Sequence, residues 1–199
     1  KSLRLLNTDR LDLIQLHSCS EAILRNGEVI TAVQTARDRG HTRYIGYSGD
    51  GESAKFAIGT GVFDTLQTSI NVADQEVLRE NLPMARERNM GVIAKRPIAN
   101  AAWKNGKKPE NSYHHEYWER LQKLQYDFLK NKLDDAVSTA LRFTLSQRGV
   151  HTAIVGTKQP GRWKQNASLL EAGPLPAQDV NAIRARWIEA ADSNWVGQV

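Results

Sequence analysis

Five short apolar runs, each ending in polar residues and each followed by a helical pattern, set the strongest limit on how this chain folds. They lie at 11–17 (LDLIQLH), 43–48 (RYIGYS), 63–71 (FDTLQTSIN), 91–96 (GVIAKR) and 152–155. Between them run amphipathic segments. Residues 28–39 carry Val29, Ile30, Ala32, Val33 and Ala36 at helical spacing, with Gly40 as the stop signal. Residues 52–58 form a short helical stretch ended by Gly59 and Gly61. Residues 75–88 place Val77, Leu78, Leu82 and Ala85 on one side, and 133–147 is a helix stopped by Gly149. Helices at 161–171 and 178–190 close the chain, separated by a Gly-Pro-Leu-Pro breaker.

The strands read as apolar rather than alternating, which implies a parallel sheet covered on both faces. An open doubly wound sheet and a (β/α)8 barrel both satisfy that pattern. The first strand is followed by Leu16-His17-Ser18-Cys19-Ser20, which cannot serve as the glycine-rich phosphate turn of a dinucleotide-binding open sheet. Polar residues instead stand at the C-terminal end of every strand: His17, Ser48, Gln67 with Asn71, Lys95 with Arg96, and Thr157 with Lys158. In a barrel these ends converge on one site. The expected architecture is therefore α/β, a TIM-type (β/α)8 barrel to which residues 1–199 contribute about five βα units and a C-terminal helix. Residues 98–131 form an excursion after the Gly91 strand, loop-like at first and helical in period over 117–129. The amphipathic scrap at 1–6 reads as the last turns of a helix whose start lies elsewhere. Such a partial barrel is expected to leave two strand edges and an apolar interior open.

Composition narrows the function classes. The net charge of +5 comes from Lys and Arg scattered over helix faces and one loop. A nucleic-acid surface gathers them into a stripe with aromatics, so nucleic acid is not an expected partner. The lone Cys19 rules out an intrachain disulfide framework and fits a reducing, cytoplasmic compartment. No run approaches the ~20 apolar residues of a membrane span, and no signal-peptide pattern opens the chain. His114, His115 and Glu116 are consecutive, which is poor geometry for a single ion, so no metal is expected. They are read as part of a substrate-side loop. There Trp103, Tyr113, Tyr117 and Trp118 either line a pocket or pack the loop onto the barrel.

Five segments in order carry a resemblance to the aldo-keto reductase family: TDRLDLIQLH at 8–17, IGYSGD at 45–50, LQTSIN at 66–71, GVIAKRPIAN at 91–100 and VGTKQPGRWKQNASLL at 155–170. They are similar to the family's segments from its fourth strand to its 2′-phosphate stretch, and the match runs to about residue 195. The resemblance implies an NADPH-dependent oxidoreductase that reduces aldehydes or ketones to alcohols, with His17 as the histidine of the catalytic tetrad. A neutral imidazole at a strand end is also chemically able to donate a hydrogen bond to a carbonyl oxygen. Ser48 and Gln67 match the pair that holds the nicotinamide carboxamide, which needs one donor and one acceptor. Where the family motif has Asn, this chain has Gly49, which either removes a contact or lets the backbone come closer. Where many relatives place an aromatic residue on the nicotinamide ring, Lys95 and Arg96 stand. They suit stacking, pyrophosphate pairing, or an ion pair with a neighbouring βα loop.

The 2′-phosphate segment supplies Gly156, Thr157, Lys158 and Arg162 at the start of a helix, with Gln165 and Asn166 matching the adenine contacts. Two cations beside free backbone N–H groups suit a phosphate and favour NADP(H) over NAD(H). The family's catalytic Asp, Tyr and Lys belong to units that precede these segments. Tyr44, Tyr47 and Tyr113 do not sit in a context that replaces the Tyr. The alternative reading is a barrel that binds NADP(H) without turnover, as a sensor or regulatory subunit. The oligomeric state and the particular carbonyl substrate are not legible.

Overall fold

The computed structural model describes residues 1–198. A short helix α1 (Ser2–Leu6) leads into strand β1 (Leu11–His17). Then follow helices α2 (Glu21–Asn26) and α3 (Glu28–Asp38), strand β2 (Thr42–Ser48), helix α4 (Gly51–Thr60) and strand β3 (Thr65–Ser69). Helix α5 (Asn81–Glu87), strand β4 (Gly91–Lys95), helices α6 (His115–Leu124) and α7 (Leu133–Leu145), strand β5 (Thr152–Ile154) and helices α8 (Arg162–Ser168) and α9 (Ala177–Ala190) complete the order. The strands form one sheet in sequence order, and every neighbouring pair is parallel.

The ladder register sorts the strand residues onto two faces. Ile14, Leu16, Ile45, Tyr47, Leu66, Thr68, Val92 and Ala94 face the helices, and most of them are buried. With Leu24, Val33, Ala54, Ala57, Ile58, Leu82 and Ala85, all of these but Thr68 make one continuous core. Each fully buried large aliphatic side chain such as Leu66 contributes about 1.5–3 kcal/mol. The opposite face carries Leu13, Gln15, His17, Gly46, Ser48, Thr65, Gln67, Ser69, Ile93 and Lys95. The strands thus alternate after all, and the expectation of uniformly apolar strands fails. The interior face is mixed: beside its polar and small residues it also carries Leu13, Tyr44, Ile93 and Ile154, with Tyr44 and Ile154 about half exposed. The alternation was masked in sequence because Thr68, Ala94 and Gly46 break the contrast on both sides. Gly46 is required by close approach: a Cβ there would lie 2.1 Å from Thr65 Oγ1.

Several boundaries move for local reasons. Ser20 Oγ accepts from the Ile23 N–H and Gly27 closes α2 at φ 82°, so a further helix forms between β1 and α3. The segment 75–88 splits into a turn at Glu76–Leu78 and helix α5. In the excursion the helix ends early, because Gln125 adopts a left-handed conformation (φ 47°), and a separate turn follows at Asp127–Lys130. The excursion joins a second core in which Tyr117, Leu121, Leu124 and Tyr126 pack with Ala136, Ala140 and Phe143 of α7 and Ile183 and Trp187 of α9.

That second core encloses a polar cluster. Asp74 is 1% exposed, accepts a hydrogen bond from Tyr117 Oη (3.0 Å) and lies 3.9 Å from the Arg120 guanidinium. Arg120 is held independently by Glu116 (2.9 Å) and by the carbonyls of Ala73 and Val196. Burial pushes the Asp74 carboxyl up to about 7, against the pull of Arg120. An acid whose folded value lies above its unfolded value binds more protons when folded, so its contribution to stability is lost as pH rises from about 4 to about 7. Asp74→Asn is therefore expected to flatten that part of the stability profile, measured as urea midpoints at pH 5 and pH 8. An unchanged slope would contradict the assignment.

Candidate functional site

Parallel pairing fixes the first part of the site. His17, Ser48 and Gln67 are consecutive partners in the ladder, so they form one row across β1, β2 and β3 at the C-terminal ends of the strands. Gln67 Nε2 donates to Ser48 Oγ over 3.0 Å. Ser48 is buried, Gln67 half-buried and His17 exposed. The row thus offers one open imidazole beside a linked hydroxyl and carboxamide, which together supply both donors and acceptors.

The loop that carries His17 onward is pinned from β2. Ser18, at φ 52°, donates its N–H to the Ser48 carbonyl (2.8 Å), and Tyr47 Oη donates to the Cys19 carbonyl (2.6 Å). Tyr47 faces the helices, and burial pushes its phenol up to about 12. The same ring accounts for Gly49. A Cβ at that position would meet the Tyr47 ring at 2.6–2.8 Å, so the space of the family's Asn is already filled by a phenol.

Asp50 joins the strand ends, a role that sequence reasoning missed. Its Oδ1 accepts from Thr68 Oγ1 and from the Ser69 N–H, each at 2.7 Å, and its Oδ2 pairs with Lys95 Nζ at 2.7 Å. The side chains of Asp50 and Lys95 are only 4% and 12% exposed. Of the roles open to Lys95, the ion pair with a neighbouring βα loop is the one observed. Arg96 turns away at φ 55°, with Nε on Tyr113 Oη (2.9 Å) and Nη1 on Ser69 Oγ (3.1 Å) and on the Gln198 carbonyl. The visible signal for Asp50 was its place directly after Ser48-Gly49, in the loop between β2 and α4.

Lys95 and Arg96 also border a cavity of about 640 Å3 between the end of β4, the excursion, α7 and the β5–α8 loop. It gathers Gly156, Thr157, Lys158, Arg162 and Asn166 on one side and Asn100, Lys104 and His114 on the other. Lys95, Arg96, Lys104, Lys158 and Arg162 give it five cationic side chains, and among the described residues no Asp or Glu lines it. Gln165 is exposed and does not line it, whereas Asn166 is buried. Helix α8 begins at Arg162, one residue later than expected, because Gly161 caps it at φ 80°. At seven residues its dipole is modest, and the side-chain cations dominate the local field. Arg162 is steadied by Gln159 Oε1 (2.9 Å) and lies 4.0 Å from the largely exposed Asp134. Among the described residues no three His, Cys, Asp or Glu side chains cluster to hold a metal ion. Among them, too, no helix is long and apolar enough to cross a membrane.

A parallel βα sheet with a polar row and a cationic cavity at its strand ends has the layout of α/β folds whose sites lie at the C-terminal ends of the strands. The sequence profile of the Aldo/keto reductase family matches residues 1–188, and the chain belongs to that family. Among solved structures, an aldo-keto reductase of Bacillus halodurans in its apo form superposes with a TM-score of 0.80 at 24% identity, over 97% of this chain and 68% of that one. Its holo form gives 0.75 over 66% of its length. An aldo-keto reductase from Klebsiella pneumoniae in complex with NADPH gives 0.69 at 20% identity, over 100% of this chain and 66% of that one. The chain therefore spans about two thirds of each relative. No curated protein sequence matches it.

The Tyr47–Gly49 contact yields a direct test. Gly49→Asn, which restores the family residue, is expected to destabilise the protein by about 1–3 kcal/mol through overpacking. Combining it with Tyr47→Val should recover part of that loss. Denaturant midpoints of the two single variants and the double variant form the cycle, and strict additivity would contradict the contact.

Proposed function

We propose that this chain is the cofactor-binding part of an NADP(H)-dependent reductase that converts aldehydes or ketones to alcohols. The observation that carries the reading is the cavity of about 640 Å3, which Arg96, Lys104, Lys158 and Arg162 line besides the Asp50-paired Lys95, with no carboxylate among the described residues on its walls. It suits a ligand with several phosphate charges. Lys158 and Arg162 stand for the group that holds a 2′-phosphate, Gly156 and Thr157 for the loop beside it, and Asn166 for the adenine contact. Gln165, on the exposed side of α8, is the weakest member of the set. The Ser48–Gln67 pair stands for the carboxamide holder, and Lys95 and Arg96 link that row to the cavity.

The residues present fit such a dinucleotide, because the row and the cavity adjoin through Lys95 and Arg96. When bound, the reduced cofactor supplies a hydride to the carbonyl carbon. His17 holds the carbonyl oxygen by a hydrogen bond at the open end of the row. The proton that completes the alcohol comes from a separate donor, which the family carries on units that precede β1. The reading includes those units, and with them a closed eight-stranded barrel of which residues 1–199 form the later part, with 98–131 as an excursion over the site. It also places the protein in the cytoplasm.

The ion pair of Lys95 with Asp50 and the filled space at Gly49 favour a second reading, an NADP(H)-binding barrel without turnover. Mixing the full-length protein with NADPH and a panel of aldehydes separates the two. The first reading expects oxidation of the cofactor; binding without oxidation supports the second.

Removing a charge-assisted bond to phosphate weakens binding by roughly tenfold or more. Arg162→Ala and Lys158→Ala should each weaken NADPH binding by about that factor and affect NADH much less, as measured by fluorescence titration. Equal loss for NADPH and NADH, or no loss, would remove the 2′-phosphate assignment.

A further inference from the structure

The wall of the cavity opposite Lys158 and Arg162 contains a side chain that neither the row nor the phosphate cluster uses. His114 lies at the start of α6 and lines the cavity with Asn100 and Lys104. Its two ring nitrogens are in different situations. Nδ1 is sealed from solvent and has no hydrogen-bond partner, whereas Nε2 keeps access to solvent. A sealed Nδ1 is unsatisfied in either protonation form, so it offers a ligand nothing. Of the two ring nitrogens, Nε2 is the one open to a ligand, and toward an anionic oxygen it acts as the N–H donor.

The surroundings support a neutral ring. Burial, then the charges of Lys104 and His115, lower the His114 imidazole from its ordinary range. Tyr113 packs against it edge-on at 5.4 Å and itself accepts from Arg96, so the charged and titratable groups around the ring are Lys104, His115, Tyr113 and Arg96. Asn100, on the same wall, has a left-handed backbone (φ 54°) between Ala99 and Ala101, which also have positive φ. Its Nδ2 likewise has no partner. Strained backbone and unsatisfied polar groups together are a mark of a ligand-contacting segment.

We propose that His114 is a ligand-contact residue of this cavity, with neutral Nε2–H donating a hydrogen bond to an anionic oxygen of the bound dinucleotide. The role is separate from that of the cations, because a neutral donor fixes direction where Lys104 and Arg96 supply field. The inference rests on the reading of the cavity as an NADP(H) site.

Glutamine places its amide nitrogen near the position of Nε2, and asparagine places it near Nδ1. In the full-length protein, His114→Gln is therefore the conservative rescue and His114→Asn the loss. NADPH titrated alone at pH 7.5 is expected to bind His114→Gln within about twofold of the unsubstituted protein and His114→Asn about tenfold more weakly. Equal affinities for all three, or equal losses in both variants, would overturn the proposal. If the unsubstituted protein binds NADPH and Arg162→Ala weakens it while both His114 variants match it, the site reading stands and the His114 role falls. If the unsubstituted protein does not bind NADPH, both fall together.

Discussion

A single buried carboxylate holds together the end of the sheet on which the site is built. Asp50 lies just past β2, yet it accepts from Thr68 and Ser69 at the end of β3 and pairs with Lys95 at the end of β4. Backbone bonds carry the pairing one residue past the strand ends, from the Gly49 N–H to the Gln67 carbonyl and from the Ile70 N–H to the Lys95 carbonyl, and this node adds side-chain links at the same level. Removing one partner of such a pair leaves a buried charge uncompensated, at a cost of about 3–5 kcal/mol. The same contact partly neutralises Lys95, which still borders the cavity. Arg96 and the cavity beyond it are left as the cationic surface.

The pleat does the rest of the positioning. Because side chains alternate across the sheet, the residues that fill the core against the helices and those that face the site come from the same short strands. Tyr47 and Ser48 illustrate the division. Tyr47 points to the helices and anchors the His17 loop through the Cys19 carbonyl, while Ser48 on the opposite face accepts from Gln67. Gly49 opens no free space beside the row, since a Cβ there would meet the same phenol.

Much of this was legible in the sequence, for identifiable reasons. Strand ends showed themselves through His17, Ser48, Gln67 and Lys95, which interrupt apolar runs at the same relative place. Glycines marked helix ends at Gly40 and Gly61. The two-faced character of the strands was not legible, because Thr68 and Ala94 on the core side look like site-side residues. Asp50 was hidden for a different reason: its partners come from two other strands, and no local spacing encodes a contact across β3 and β4. Similarly, the late start of α8 depends on the positive φ of Gly161, and the cavity wall formed by Asn100 and His114 depends on how the excursion folds back.

If the row and the cavity together hold one NADP(H) molecule, a crystal structure of the full-length protein with NADP+ bound shows it most directly. The 2′-phosphate is expected between Lys158 and Arg162, and the carboxamide within hydrogen-bond distance of Ser48 and Gln67. A dinucleotide bound elsewhere, or one whose nicotinamide lies away from His17, would contradict this assignment.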